Sequence, residues 1–140
     1  AGVANRTGAK LVAPDEIYDV DADVFSPNAL GAIINEDTLK RLKVKVVAGG
    51  ANNQLIVPEM GELVRRAGIL YAPDYVINGG GIINVAAEIS GSYSRAWGDQ
   101  KVDTLIDTLG TVLDDALAAG RPTNEVADEI ARARIDAARA

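Results

Sequence analysis

A chain of 140 residues suits one domain, long enough to bury roughly 70% of the surface its unfolded form would expose around a single core. Its 20 acidic against 14 basic residues leave a formal charge of −6, a surface that repels phosphate backbones and argues against nucleic-acid binding. Cysteine and histidine are both absent, which excludes disulfides, thiolate nucleophiles and the usual zinc ligands and leaves Asp, Glu, Lys, Arg and Tyr for proton chemistry.

In chain order, Pro14 suits the first position of a helix and Asp15 and Glu16 favour its positive end, so a brief helix is expected to Tyr18. Ala22 to Ser26 reads as a buried strand. Asn35, with Glu36 and Asp37, supplies an N-cap and an acidic first turn for a helix ending near Leu42. Lys45 to Ala48 is the next strand; Lys43 and Lys45 alternate with Val44 and Val46 and are read as surface. A helix from about Pro58 to Ala67 stops at Gly68, and Ile69 to Val76 makes the last strand. Strands alternating with helices imply a parallel sheet with right-handed crossovers.

Beyond Gly79-Gly80-Gly81 a helix is expected, with Ile82, Ile83, Val85, Ala86 and Ile89 as its apolar positions. After a break at 91–98, Val102, Leu105, Ile106, Leu109, Val112, Leu113 and Ala116 recur at three- and four-residue steps, an amphipathic helix. Gly120-Arg121-Pro122 closes it, and Thr123 offers a cap for a final helix from Asn124 to about Ala138. No run of about 18 apolar residues exists to span a bilayer, and the start to Lys10 lacks the apolar centre of a signal peptide, so a cytoplasmic protein without membrane contact is expected. The carboxylates at Asp19-Asp21-Asp23 and Asp114-Asp115 lack the glycine and distal Glu of a calcium loop; no metal site is expected.

Three strand-to-loop junctions carry most of the information: Val24-Phe25-Ser26-Pro27-Asn28-Ala29-Leu30-Gly31, Val46-Val47-Ala48-Gly49-Gly50-Ala51-Asn52-Asn53-Gln54, and Tyr71-Ala72-Pro73-Asp74-Tyr75-Val76-Ile77-Asn78-Gly79-Gly80-Gly81. Each sets small and amide residues just past a β-rich run, where open parallel sheets bind ligands. Adjacent amides after a buried strand are costly unless paired, so Asn52 and Asn53 call for a polar ligand or a backbone to hold. Asn28 serves equally as an Asx-type turn residue. The glycine run opening the next helix could receive a carboxylate or carboxamide, or simply mark a tight turn.

In this order and spacing the three blocks resemble the second half of the nucleotide-binding domain of the amino-acid dehydrogenases acting on glutamate, leucine, phenylalanine or valine, with the leucine and phenylalanine enzymes nearest in likeness. The resemblance covers residues 8–90 well and the last fifty more loosely. It implies an α/β fold: a partial Rossmann-like parallel sheet of three to four strands, flanking helices and a helical C-terminal segment. Residues 1–90 would be the second half of a dinucleotide-binding domain and 91–140 its helical end. The implied function is part of an NAD-dependent enzyme that oxidatively deaminates an aliphatic or aromatic L-amino acid to its 2-oxo acid.

By the same resemblance Asn28, Ala29, Gly49, Asn53 and Asn78 line the cofactor cleft, and Asn53, Ile82 and Val85 touch the substrate. Asn28 departs from the Cys common among relatives. Ile82 and Val85 at helical spacing would also serve as ordinary core. Neither the glycine-rich G-x-G-x-x-G turn nor the family's catalytic Lys and Asp is found, so no catalytic residue is assigned and the chain alone is expected to bind NAD weakly or not at all and to be inactive. The alternatives are a non-catalytic oligomerisation or regulatory module derived from that family, or a stable fragment. With no strand before it to pair with, the strand at Ala22 to Ser26 would form an open apolar edge; together with an uncovered face at Leu105, Leu109 and Val112, that edge suggests a homo-oligomer.

Overall fold

The computed structural model describes residues 2–91 and 94–140. Helix α1 (Gly2–Thr7) is followed by an extended stretch and a 3-10 turn at Ile17–Asp19. The elements then run β1 (Val24–Phe25), α2 (Glu36–Leu39), β2 (Val46–Val47), α3 (Met60–Arg66), β3 (Leu70–Tyr71), α4 (Asp74–Ile77), α5 (Gly80–Ser90), α6 (Arg95–Ala119) and α7 (Thr123–Arg139). The strands form one parallel sheet in the order β1-β2-β3, with Val24, Val46 and Leu70 in register and Phe25, Val47 and Tyr71 beside them. The architecture is therefore α/β, a three-stranded parallel sheet with flanking helices and a helical C-terminal segment.

Local chemistry accounts for the elements. Asn35 caps α2 in a full capping box: its Oδ1 accepts from the N–H groups of Asp37 and Thr38, and Thr38 Oγ1 accepts from Asn35 N–H. Gly68, at φ 74°, ends the α3 turn where a side chain would be strained. Ser94 caps α6 by accepting from Trp97 N–H, and Gly120 closes it in the left-handed region.

Several expectations are corrected. The segment after Pro14 makes only a 3-10 turn, with Glu16 folding its carboxylate back to Ala13 N–H. The strand expected to run to Val76 stops at Tyr71, because Pro73 has no N–H to extend the ladder and Asp74 begins α4. Thr123 does not cap α7: Pro122 holds the cap position, and Thr123 Oγ1 donates to Tyr71 O at 2.7 Å. The break before α6 is shorter than expected, ending at Ser94; its residues 92 and 93 lie outside the described residues. The strand at 22–26 is not buried, since Val24 is 50% exposed and Phe25 half-buried. Lys43 and Lys45 are surface as expected, with Lys45 Nζ 2.8 Å from Asp23.

Two apolar clusters hold these layers. One, of Ile34, Val47, Met60, Val64, Ile69 and Tyr71, lies between the sheet and α3. The other joins Val76, Val112 and Ala127 from α4, α6 and α7, with Leu109 and Ile130 against it. Val112 is 1% exposed and Leu105 packs over Gly79, so the α6 face expected to lie uncovered is covered by the chain's own helices.

Candidate functional site

Because the strands are parallel and in register, the loops after β1, β2 and β3 leave the same edge of the sheet. They are tied to one another there. Asn28 Nδ2 donates back to Ser26 O and Oγ, while its Oδ1 accepts from Gly50 N–H at 2.9 Å and so bridges the first loop to the second, in place of the Asx-type turn expected there. Ala51 N–H donates to Pro27 O at 2.9 Å. Gly49 lies so close to the first loop that a Cβ there would fall on the Pro27 backbone. From the third loop, Asn78 Nδ2 donates to Asn52 Oδ1 at 2.5 Å and to Gly50 O at 3.4 Å.

The structure thus brings Asn28, Ala29, Gly49, Asn53 and Asn78 to one edge, the crevice side of an open parallel sheet. Their roles there differ. The donor and the acceptor of the Asn28 amide and the donors of Asn78 are used within the protein, so these two side chains shape the loops. Asn53 is exposed and stands at φ 53°, in the left-handed region. Its N–H donates to Asp74 Oδ2 at 2.7 Å and its carbonyl accepts from Ala32 N–H at 2.6 Å; Ala32 is itself left-handed at φ 56°. Two adjoining non-glycine residues in this region are uncommon and are held there only by surrounding contacts. Gly31 is part of that holding, as a Cβ on it would come within 2.6 Å of Asn52 O.

The amide that must be paired because it is buried is Gln54, not Asn52 or Asn53, which are both exposed. Gln54 is fully buried, and its Nε2 donates to Gly49 O at 2.6 Å and Ala51 O at 2.9 Å, bracing the glycine turn from below. Sequence reasoning missed this brace and also missed Asp74 and Tyr71. Asp74, 7% exposed, accepts Tyr71 OH on Oδ1 at 2.8 Å and Asn53 N–H on Oδ2. Burial, with the Asp74 hydrogen bond second, pushes the Tyr71 phenol far above its ordinary range, so it stays a proton donor to that carboxylate. The dipeptide Pro73-Asp74 after a strand was the available signal, being a turn and helix-start pair rather than strand sequence.

Ile82 and Val85 do not join this network. They lie on α5 at 68% and 48% exposure, on one face with Ile89, and are not core of this chain. A groove of about 360 Å3 between α3, β3 and the α6–α7 turn, lined by Ile69, Leu113 and Leu117 among others, lies on the β3 side, away from the loops that join at the strand ends. Among the described residues no cluster of three or more carboxylates is placed to hold a metal ion, and no helix is long and apolar enough to cross a membrane.

The family model for glutamate/leucine/phenylalanine/valine dehydrogenase matches residues 2–137. Leucine dehydrogenase of Thermoactinomyces intermedius is 51% identical over 129 residues, 92% of this chain and 35% of that protein. L-tryptophan dehydrogenase of Nostoc punctiforme is 45% identical over 129 residues, 91% of this chain and 36% of that one. The crystal structure of L-tryptophan dehydrogenase from Nostoc punctiforme superposes with a TM-score of 0.92 at 40% identity, covering 99% of this chain and 42% of its own. Hetero-hexameric glutamate dehydrogenase from Thermus thermophilus, in its Leu-bound form, shares the fold at a TM-score of 0.73 and 23% identity, covering 98% of this chain and 35% of its own. The chain spans about a third of the length of the curated relatives it matches.

Proposed function

The chain belongs to the glutamate/leucine/phenylalanine/valine dehydrogenase family, and from that premise we propose that it forms the nicotinamide side of the NAD-binding domain of an amino-acid dehydrogenase. Residues 1–90 would be the second half of that domain and 91–140 its helical end. The observation that carries the reading is the convergence of three loops at the strand ends, with the exposed Asn53 amide held on a fixed backbone beside the Gly49-Gly50 turn.

A nicotinamide carboxamide needs both a donor and an acceptor, and a side-chain amide offers both. The residues fit such a group: Gly49 and Gly50 leave no side chain over the turn, Ala29 is small and exposed, and Asn53 has its side chain in solvent. When bound, NAD would supply the hydride acceptor for oxidation of the amino acid at its α-carbon. Asn53 would orient substrate and nicotinamide, with Asn28 and Asn78 keeping the loops in place. Ile82 and Val85, exposed on one face of α5, would meet the substrate side chain; both are apolar, which favours an aliphatic or aromatic amino acid over glutamate. The acid/base chemistry is assigned to segments beyond these residues, and the chain alone is read as inactive. A homo-oligomer in the cytoplasm completes the reading, the assembly in keeping with the hetero-hexameric glutamate dehydrogenase that shares the fold.

The test is a chimera in which residues 2–137 replace the matching stretch of the Thermoactinomyces intermedius leucine dehydrogenase. Asn53→Ala in the chimera should lower kcat about tenfold or more while changing the KM for NAD far less, the mark of an interaction made chiefly in the transition state. Unchanged kinetics would make Asn53 a turn residue and defeat the reading. NAD reduction by the isolated chain would defeat the assignment of the acid/base chemistry elsewhere.

A further inference from the structure

Asn53 has an exposed side chain on a backbone that ordinary residues avoid, and something must keep it there. Its peptide is clamped from both ends, the carbonyl by Ala32 N–H and the N–H by Asp74 Oδ2. The second contact is the stronger kind, a 2.7 Å bond to a carboxylate that is only 7% exposed. Burying a carboxylate is costly unless its oxygens are satisfied. Here one oxygen takes the Asn53 N–H and the other the Tyr71 hydroxyl.

The element that presents Asp74 adds a second grip. Asp74 opens α4 and Asn78 closes it; four residues apart, they lie on one helix face. Asn78 holds Asn52 Oδ1 and Gly50 O, Asp74 holds Asn53 N–H, and so a single helical turn brackets the whole loop from 50 to 53. We propose that Asp74 is a positioning residue of the site, fixing the left-handed backbone that carries the exposed Asn53 amide. The proposal rests on the reading of Asn53 given above and adds the residue that determines where its amide stands.

Two measurements test it. In the chain itself, the Asn53 amide proton followed by nuclear magnetic resonance should exchange with solvent at least about tenfold faster in Asp74→Ala, and Asp74→Asn, which keeps an acceptor oxygen, should recover most of the protection. Tyr71→Phe, which frees Asp74 without removing it, serves where Asp74→Ala does not fold, and should give a smaller acceleration of the same amide.

In the chimera, Asp74→Ala should lower kcat about tenfold with little change in the KM for NAD, Asp74→Asn should fall between, and Asp74→Ala combined with Asn53→Ala should be no worse than Asn53→Ala alone. Unaltered Asn53 exchange in Asp74→Ala overturns the proposal, and so does a double variant whose losses multiply. An intact kcat in Asp74→Ala beside an impaired Asn53→Ala sinks the positioning role alone. An intact kcat in Asn53→Ala sinks the assignment of Asn53 to the site, and the positioning role with it.

Discussion

The strand-end loops and the C-terminal helices are built on different principles. In the loops at the strand ends, 26–32, 49–54 and 74–78, the backbone is held by side-chain amides and a carboxylate: Asn28, Asp74 and Asn78 each bond to a neighbouring loop, Gln54 braces its own, and Ala32 and Asn53 sit in the left-handed region. Between 94 and 140 the protein relies on apolar burial, with Val112 and Ala127 packed on Val76 of α4 and Arg121 bridging Glu125 and Glu129 at the turn. Hydrogen bonds are directional and fix atoms in place, while apolar packing stabilises without prescribing position so tightly. A crevice that holds a ligand, as proposed for these loops, needs the first kind, and the helical support needs only the second.

Substitutions at two glycines separate these regimes most sharply. Gly49→Ala would drive a methyl group into the Pro27 backbone, which has no flexible end to move aside, and should destabilise the fold by about 3 kcal/mol as measured by denaturant unfolding. Next in size, Val112→Ala should cost about 2 kcal/mol through lost burial and the cavity left behind, yet leave the hydrogen-exchange pattern of residues 49–54 relative to the rest unchanged. Gly110→Ala, inside α6 with open space around it, should do the opposite of Gly49→Ala and stabilise by roughly 0.5–1 kcal/mol. If Gly49→Ala proved as benign as Gly110→Ala, the contrast between the regions would collapse.

The smallest effect is one of pH. Hydrogen bonds from Arg65 and Arg66 hold the Glu62 carboxyl at about 2, against 4.5 unperturbed. Its folded value is depressed, so its contribution is complete above about pH 4.5 and fades as the pH falls toward 2. Glu62→Gln should therefore lower the melting temperature slightly at neutral pH, where that contribution is complete, and leave it nearly unchanged near pH 2, so that the acid side of the profile flattens.

The outline of the fold was legible where one residue type has one local use. Asn35 caps α2, Gly68 ends the α3 turn, and the three junctions leave one edge of a parallel sheet, all as their letters imply. The family resemblance was legible too, because its blocks are separated and ordered. What could not be read was long-range. That Asp74 accepts from Asn53, 21 residues away, or that Thr123 donates to Tyr71, 52 residues away, depends on how layers stack and leaves no trace in local periodicity. Asn53 illustrates the limit: its type hinted at a site, but its left-handed backbone is imposed by neighbours distant in sequence. The run from Ile69 to Val76 misled for a related reason, since its β-rich letters outweighed a Pro-Asp pair that begins a helix.

Tyr71 belongs to three systems at once. It is a strand residue of β3, its hydroxyl steadies Asp74, and its carbonyl receives the Thr123 hydroxyl from the head of the last helix. A latch of this kind ties the far end of the chain to the crevice mechanically: a tug that lifts α7 from the sheet pulls on the same residue that holds the Asp74 carboxylate. The loops at the strand ends and the start of α7 should accordingly open together, as one cooperative unit with a shared opening free energy, while the exposed final turns of α7 fray independently.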